Sequence, residues 1–246
     1  MLLLIDKPIW LTSQDAISAV KKNLRQPARD ALTDEDRANG IKPPKIKIWH
    51  AGTLDPMASW LLIAATDRDT KQLHQITWSD KTYETTIDFS RASDTWDLNY
   101  RKDIHTIDPF IYNNIPTLGQ IKEILDTLIG TPQLPLTPFS AKRYKGKKLY
   151  EYAREWNPIF LTIPMTIYGY KIISYDFPYL QVQLHVWSGT YIRSIGHRIG
   201  SQIWGDAILI ELRRLSIGDY KLSDISTSNK NIALRDDKEI MYTILS

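Results

Sequence analysis

The chain contains no cysteine among its 246 residues, which excludes disulfide bonds and metal sites built from thiolates. It also lacks any run of about 18 apolar residues, so no segment predicts a membrane-spanning helix. The N-terminal segment MLLLIDKPIW is too short for a secretory signal and carries Asp6 and Lys7 too early. We therefore expect a cytoplasmic protein.

A large excess of charge of one sign is also missing. The chain has 31 lysines and arginines against 28 acidic residues, which gives a formal net charge of +3. This balance permits a nucleic-acid partner but does not indicate one. The remaining composition, 43% hydrophobic and 24% charged, is typical of a globular protein with one large domain or two small ones.

Hydrophobic patterning predicts a mixture of helices and strands. The apolar run at 2–5 and the alternating segments 81–90 and 179–189 predict strands. Apolar residues at helical spacing predict helices over 13–24, with Ser13 as the N-cap, over 115–130, and from Tyr191 onward. We interpret the run ASWLLIAA, from Ala58, as a further helix. Residues 25–44, with three prolines and a glycine, predict a flexible insertion.

Asp55 lies in the loop HAGTLDP, residues 50–56, between Gly52 and Pro56. A carboxylate held on a stiff turn can act as a nucleophile or as a general base. Aspartates in turns also commonly accept hydrogen bonds from nearby backbone amides. Taken alone, the loop favours this second, structural role.

The segment AKRYKGKKLYEYAR, residues 141–154, combines cationic side chains with three tyrosines. Cations neutralise phosphates, and tyrosine rings stack on unpaired bases, so the segment is typical of RNA binding. A solvated, charged helix face would show the same pattern, and the two interpretations stand about equal. The candidate contacts to an RNA backbone are Lys142, Arg143, Lys145, Lys147 and Lys148.

Tyr191 and Arg193 lie in GTYIRS, residues 189–194, two positions apart. On an extended segment they would project to the same side. A ring beside a permanent cation suits a nucleobase next to an acidic group. An arginine close to Asp55 would also keep that carboxylate ionised. The alternative is a structural arginine with an ordinary surface partner.

Six motifs in this order resemble the TruB family of pseudouridine synthases, over about residues 2–220. They are DKPIWLTS (6–13), KIWHAGTLDPMASWLL (47–62), DKTYE (80–84), SAKRYKGKKLYEYARE (140–155), SGTYIRS (188–194) and GDAILIELRRLSIGDY (205–220). One such motif is weak evidence, whereas six in order are specific. The resemblance implies an α+β fold with a mixed, mostly antiparallel sheet, flanking helices and a central RNA-binding cleft.

The resemblance also implies an activity and its residues. The family isomerises the T-loop uridine of tRNA, at position 55, to pseudouridine without a metal or an organic cofactor. Asp55 matches the catalytic aspartate, which either attacks the ribose C1′ or removes a sugar proton. His50 matches the histidine that occupies the place of the extruded base, and Tyr83 matches the tyrosine that stacks on the uracil.

Three further residues match the family's uridine pocket. Tyr191 and Leu212 match residues that line it, and Arg193 matches the arginine that pairs with the catalytic carboxylate. The implied partner is the T-arm stem-loop of tRNA, bound by a monomer with no membrane or metal.

The resemblance predicts one catalytic domain over residues 1–220, with a basic RNA-contacting segment over 131–156. Residues 221–246 then form a short tail in place of the small C-terminal RNA-binding (PUA) domain of many relatives. Two alternatives remain. The first is a guide-RNA-dependent pseudouridine synthase subunit, and the second is a non-catalytic tRNA-binding chaperone.

Tryptophan and glycine show an unusual balance. Glycine occurs 11 times, where average usage of roughly 7% predicts about 17. Each tryptophan stands where the family pattern has or tolerates glycine: Trp10, Trp49, Trp60, Trp78, Trp96, Trp156, Trp187 and Trp204. We hypothesise that the gene comes from a lineage that reads UGA as glycine and was translated with a code that reads UGA as tryptophan. Eight ordinary tryptophans are the alternative.

Overall fold

The structure, a computed structural model, describes residues 1–98, 104–107, 115–203, 205–225 and 230–245. Its strands are β1 Leu2–Lys7, β2 Ile48–His50, β3 Ser59–Thr66, β4 Lys81–Asp88, β5 Arg91–Ala92, β6 His105–Thr106, β7 Gln133–Leu136, β8 Arg143–Tyr144, β9 Lys147–Lys148, β10 Leu161–Pro164, β11 Ile167–Asp176, β12 Tyr179–Val186, β13 Ile208–Ile217, β14 Tyr220–Lys221, β15 Lys230–Arg235 and β16 Lys238–Leu245. Its helices are α1 Ser13–Leu24, α2 Gln26–Asp30, α3 Asp34–Ala38, α4 Leu73–Thr77, α5 Leu118–Thr127, α6 Leu149–Arg154 and α7 Ile192–Ile203.

The chain divides into two compact units. Unit 1 comprises residues 1–79 and 213–246, and unit 2 comprises residues 80–212. Strand β13 crosses this boundary, so its first half belongs to unit 2 and its second half to unit 1. None of the helices within the described ranges is long and apolar enough to cross a membrane. The predicted domain boundary at residue 220 stays a prediction.

Unit 1 is built on a sheet in which β3, β1, β16 and β15 are successive neighbours. These pairings are antiparallel, whereas β13 runs parallel to β3 through Arg213 and Ser59. Helix α1 packs against β15 and β16. Residues 221–246, predicted to be a short tail, therefore contribute two strands to this sheet.

The segment ASWLLIAA forms the strand β3, so its interpretation as a helix was wrong. Every residue of β3 except Trp60 is buried, because the strand lies inside the sheet and has protein on both faces. Such a strand shows a continuous apolar run rather than alternation. Over eight residues, hydrophobic pattern alone does not separate it from a buried helix.

Helix α1 begins one residue earlier than the predicted cap at Ser13 implies. Thr12 is the N-cap: its hydroxyl accepts from the Asp15 amide, and the Asp15 carboxylate accepts from the Thr12 amide in return. Ser13 is instead the first helical residue, which leaves its hydroxyl available for the loop at Leu54. The segment 25–44, predicted to be a flexible insertion, contains the short helices α2 and α3.

Unit 2 is built on a sheet with the order β11, β12, β4 and β13. The predicted strands at 81–90 and 179–189 are confirmed as β4 and β12, which pair antiparallel, and the predicted helix over 115–130 is confirmed as α5. Together with unit 1, these pairings confirm a mixed, mostly antiparallel α+β architecture. The predicted RNA-binding cleft stays a prediction.

Helix α7 confirms the helix predicted from Tyr191 onward and overturns the extended geometry considered for Tyr191 and Arg193. Arg193 is its second residue, so Tyr191 and Arg193 do not lie on an extended segment. The helix packs closely on the chain that follows it, because a Cβ added at Gly200 would lie 2.4 Å from the backbone carbonyl carbon of Asp206. This close approach leaves no room for a side chain at Gly200, near the end of α7.

Candidate active site

The loop that carries Asp55 is held on both sides of the carboxylate. The Leu54 amide donates to the Ser13 hydroxyl over 2.9 Å, and that hydroxyl donates back to the Leu54 carbonyl over 3.3 Å. The Pro56 carbonyl accepts from the Trp10 amide at 2.6 Å. The backbone before and after Asp55 is therefore fixed to the segment that runs from β1 into α1.

Lys7 is a buried cation that contributes to this arrangement. Its ammonium donates to the carbonyls of Leu11 at 2.7 Å, Pro8 at 2.9 Å and Pro56 at 3.3 Å. Burial lowers the pKa of Lys7 to about 8, and the nearby Asp55 carboxylate opposes that shift. Lys7 thus ties the N-terminal turn to the loop and brings a positive charge towards Asp55. Its motif, DKPIWLTS, did not predict this role.

Arg214 holds the beginning of the same loop. Its side chain is buried, with Nε donating to the Leu61 carbonyl over 2.8 Å and Nη2 to the Gly52 carbonyl over 3.2 Å. Gly52 has a φ of 99°, a conformation that side chains disfavour, so glycine suits this turn. The sequence has two adjacent arginines here, Arg213 and Arg214, and does not show which one organises the loop.

His50 ends β2 and is half-buried. Burial, and then the positive charge of Arg214, lower the pKa of its imidazole. The ring is therefore uncharged near neutral pH, with the flat, weakly polar character of a nucleobase. His50 and Asp55 are near each other along the chain, because both belong to the loop at residues 50–56 of unit 1.

Three other predicted residues lie in unit 2. Tyr83 is buried in β4, and Leu212 is buried in β13, the neighbouring strand of the sheet. Tyr191 immediately precedes α7, is half-buried, and its amide donates to the Met165 sulfur over 3.5 Å. Tyr83 and Leu212 thus lie on adjacent strands, whereas Tyr191 is positioned by the beginning of the helix.

Arg193 forms a buried ion pair that the sequence did not predict. Its Nη1 lies 3.6 Å from Asp97 Oδ2 and donates to the Thr95 carbonyl over 3.0 Å. The Thr95 hydroxyl donates to Asp97 Oδ1 over 2.6 Å, so the carboxylate is itself oriented. Nothing in the sequence distinguishes Asp97 from the other acidic residues. The predicted pairing of Arg193 with Asp55 stays a prediction.

Within residues 141–154, the cations at residues 142–148, called the basic segment from here on, lie mainly on a hairpin rather than on a helix face. Strands β8 and β9 pair around a turn at Lys145 and Gly146, and α6 follows. Lys142, Arg143 and Lys145 are exposed. By contrast, Lys147 pairs with the Glu155 carboxylate. The exposed cations are therefore the ones available to a phosphate backbone.

Tyrosines flank these cations. Lys145 lies 5.4 Å from the ring centre of Tyr144, and Lys148 lies 5.3 Å from that of Tyr150. Such cation–π contacts hold flexible lysine chains against a ring face. Within the described ranges, no group of three histidine or acidic side chains gathers as metal ligands would.

Solved structures share the fold of this chain. The chain matches one chain of the Cbf5–Nop10–Gar1 complex with a TM-score of 0.60 and 21% identity, covering 91% of this chain and 51% of that one. It matches a chain of an H/ACA RNP bound to a substrate RNA containing 2′-deoxyuridine with a TM-score of 0.58 and 19% identity, covering 91% and 50%. The chain spans about half the length of these solved chains. The likeness defines a pseudouridine synthase fold.

Sequence comparison shows the family. Residues 39–192 match the N-terminal domain of the TruB family pseudouridylate synthases. The tRNA pseudouridine synthase B of Caldicellulosiruptor saccharolyticus is 34% identical over 222 residues, covering 90% of this chain and 68% of that protein. The enzyme of the same name from Chloroherpeton thalassium is 32% identical, covering 92% and 86%. The chain belongs to the TruB family.

Proposed function

We propose that the chain is a tRNA pseudouridine synthase that isomerises the uridine at position 55, in the T loop, to pseudouridine. The observation that carries the proposal is an aspartate on a loop that three buried side chains hold in place, in a member of this family. These side chains are Lys7, Ser13 and Arg214. Relatives of 30–34% identity over about nine-tenths of the chain are tRNA pseudouridine synthases B, which supports the substrate.

The reaction requires access to a glycosidic bond that stacked RNA hides, so the nucleotide is first extruded from its stack. Asp55 then attacks the ribose C1′ or removes a sugar proton, and the bond between C1′ and N1 breaks. The uracil turns and forms a bond from C5 to C1′, after which C5 loses its hydrogen and N1 carries one. The isomerisation balances without an oxidant, a reductant or a group donor.

The other predicted residues support these steps. An uncharged His50 takes the space of the extruded base, since a neutral ring enters a base stack without bringing a charge into it. Tyr83 stacks on the uracil, and Tyr191 and Leu212 line its pocket. The burial of Tyr83 and Leu212 suits a pocket that excludes water from the detached uracil and the activated sugar.

Arg193 supplies a permanent cation in this chemistry. The contacts of Nη1 with Asp97 and Thr95 hold this guanidinium at a fixed place inside unit 2. The exposed Lys142, Arg143 and Lys145 bind the phosphates of the T arm. The proposal includes a monomer that acts in the cytoplasm.

The test is the mapping of pseudouridine on a T-arm stem-loop incubated with the purified chain. We expect modification of the uridine at position 55 and of no neighbouring uridine. A matched stem-loop with cytidine at that position should stay unmodified. Binding without any pseudouridine would indicate the chaperone alternative, and modification only after addition of a guide RNA would indicate the guide-dependent alternative. Either result would contradict the proposal.

A further inference from the structure

Four tryptophans have a left-handed backbone. Trp10, Trp60, Trp96 and Trp156 have φ values of 66°, 79°, 59° and 58°. In this region the Cβ of an L-residue approaches the following carbonyl oxygen, which destabilises the conformation by roughly 1–2 kcal/mol. Glycine has no Cβ and adopts it freely. A large aromatic residue is a poor occupant of such a position.

The other positive-φ residues have ordinary explanations. Asp67, Asp236 and Asp237 are of a residue type that tolerates this region, and Lys145 precedes Gly146 in a hairpin turn. No tyrosine, phenylalanine or aliphatic residue within the described ranges joins them. Among the residues that the structure describes, the left-handed aromatic positions are therefore occupied by tryptophan and not by tyrosine or phenylalanine.

Trp156 shows a position built for glycine. After α6, the Asn157 amide donates to the Tyr152 carbonyl over 3.1 Å, and the Trp156 amide to the Ala153 carbonyl over 3.2 Å. These two bonds define the Schellman motif, in which the left-handed residue after the helix cap is most often glycine. Trp156 is 93% exposed, so packing offsets little of its backbone strain.

Trp60 shows the same requirement inside a sheet. It lies in β3 between β1 and β13, with Lys7 and Arg214 as its cross-strand partners. Positive φ interrupts the pleat of a strand, and glycine is the usual residue at such a break. Trp10 occupies a tight turn whose amide donates to Pro56 at 2.6 Å. Two of the four positions thus border the loop that carries Asp55.

Trp96 is buried, and its indole packs on another ring. It stacks on His197 with 3.9 Å between ring centres, and it lines a cavity of about 530 Å³ in unit 2 together with Trp156, Arg154 and Phe139. This packing offsets part of the backbone strain at Trp96. Glycine at both tryptophan positions would widen that cavity beside α6.

We infer that the functional polypeptide carries glycine at these four positions, because its gene contains UGA codons there and its host decodes UGA as glycine. UGA differs by one base from the glycine codon GGA and by one base from the tryptophan codon UGG. A single codon therefore explains both the residue that the backbone requires and the residue in the written sequence. The host must then contain a glycine tRNA that reads UGA. This inference does not depend on the proposed function.

A thermal comparison tests the backbone requirement. The chain with Trp10→Gly, Trp60→Gly, Trp96→Gly and Trp156→Gly should melt about 10 °C above the chain as written, from about 2–4 °C for each relieved position. The matched control carries Trp49→Gly, Trp78→Gly and Trp187→Gly, three exposed positions without positive φ. It should show no increase. An equal increase in both chains, or none in the first, would overturn the requirement.

The codons and the natural protein test the decoding, even where the tryptophan chain does not fold. UGG at any of the four positions in the gene would refute the inference. With UGA present, mass spectrometry of the protein purified from its source should find glycine in the peptides that contain these positions. Tryptophan in those peptides would refute it equally.

Discussion

The loop at residues 50–56 and the basic segment at residues 142–148 both depend on cationic side chains, but they use them in opposite ways. The two cations that hold the loop, Lys7 and Arg214, are buried and donate to backbone carbonyls. In the basic segment, Lys142, Arg143 and Lys145 are exposed. The comparison indicates that burial, rather than residue type, separates a cation that positions the backbone from one that binds a partner.

Energetics explains why the buried cations have several acceptors each. A buried charge is strongly unfavourable unless hydrogen bonds and opposite charges compensate for lost water. Lys7 has three carbonyl acceptors and the nearby Asp55 carboxylate, so the loop stabilises the cation as the cation stabilises the loop. Exposed lysines keep their water and remain adaptable, which suits contact with a mobile phosphate backbone.

The largest expected effect is on the loop. Asp55→Ala should abolish pseudouridine formation, with a rate loss of about 10⁴-fold or more, because the reacting carboxylate is gone. Binding of the T-arm stem-loop should change by less than about threefold, since phosphate contacts dominate RNA affinity. Single-turnover pseudouridine assays and filter binding at fixed salt measure the two quantities.

A matched control for Asp55→Ala is Asp30→Ala, which removes an exposed carboxylate at the end of α2. It should leave both the rate and the binding unchanged. Equal losses of rate and binding in the Asp55 variant, accompanied by a lower melting temperature, would make Asp55 a structural residue and would remove the distinction between the two regions.

Arg193 sharpens the comparison because it belongs to unit 2, like the basic segment, but is buried like the cations of the loop. Asp97→Asn removes its carboxylate partner and should lower the free energy of unfolding by about 3 kcal/mol, since it leaves a buried cation poorly compensated. Denaturant unfolding measures this change. A change below about 0.5 kcal/mol would mean that the ion pair with Asp97 contributes little, and Asp94→Asn serves as the control.

Lys7 gives a prediction with a defined pH range. Its pKa is about 8 in the folded protein and 10.5 as an ordinary lysine, so the unfolded chain binds more protons between these values. The free energy of unfolding should therefore rise as pH increases through this range, by about 2 kcal/mol between pH 8 and pH 10. Below pH 8 the burial penalty is fully present and pH has little effect through Lys7.

The measurement for Lys7 is the difference in unfolding free energy between the unmodified chain and Lys7→Met at pH 7, 8, 9 and 10. Other titrating groups cancel in this difference. The unfolding free energy of the unmodified chain minus that of the variant should increase as pH rises. Lys22→Met, at an exposed position of α1, should give a difference that does not change with pH. A constant difference for Lys7 would show that its pKa is not lowered.

Local patterns predicted much of the fold. The strands at 81–90 and 179–189 alternate because one face of each is more buried than the other, and α5 shows an apolar stripe at helical spacing. The run ASWLLIAA misled because β3 is buried on both faces and shows no alternation. The geometry of Tyr191 and Arg193 was wrong because GTYIRS was considered as an extended segment, whereas α7 begins at Ile192 and places Arg193 in its first turn.

The supporting residues of the site were beyond local patterns. Lys7 and Arg214 act on carbonyls of residues that are distant in sequence: 49 positions separate Lys7 from Pro56, and 162 separate Arg214 from Gly52. A backbone carbonyl has no residue identity, so such partners leave no trace in a sequence. Asp55 itself was predictable only through its motif, because aspartates in turns are common.

The smallest expected effect concerns the basic segment, where the structure changes the choice of residues. Lys142→Ala with Lys145→Ala should weaken tRNA binding several-fold and reduce the slope of log affinity against log salt by about 2, since each lost phosphate contact contributes about 0.9. Lys147→Ala should weaken binding less, because that ammonium is paired with Glu155.

Titrations at several salt concentrations measure the slopes, with Lys122→Ala and Lys171→Ala as exposed controls in the same unit. Equal slopes for the double variant and the controls would mean that exposure alone does not make these cations RNA contacts.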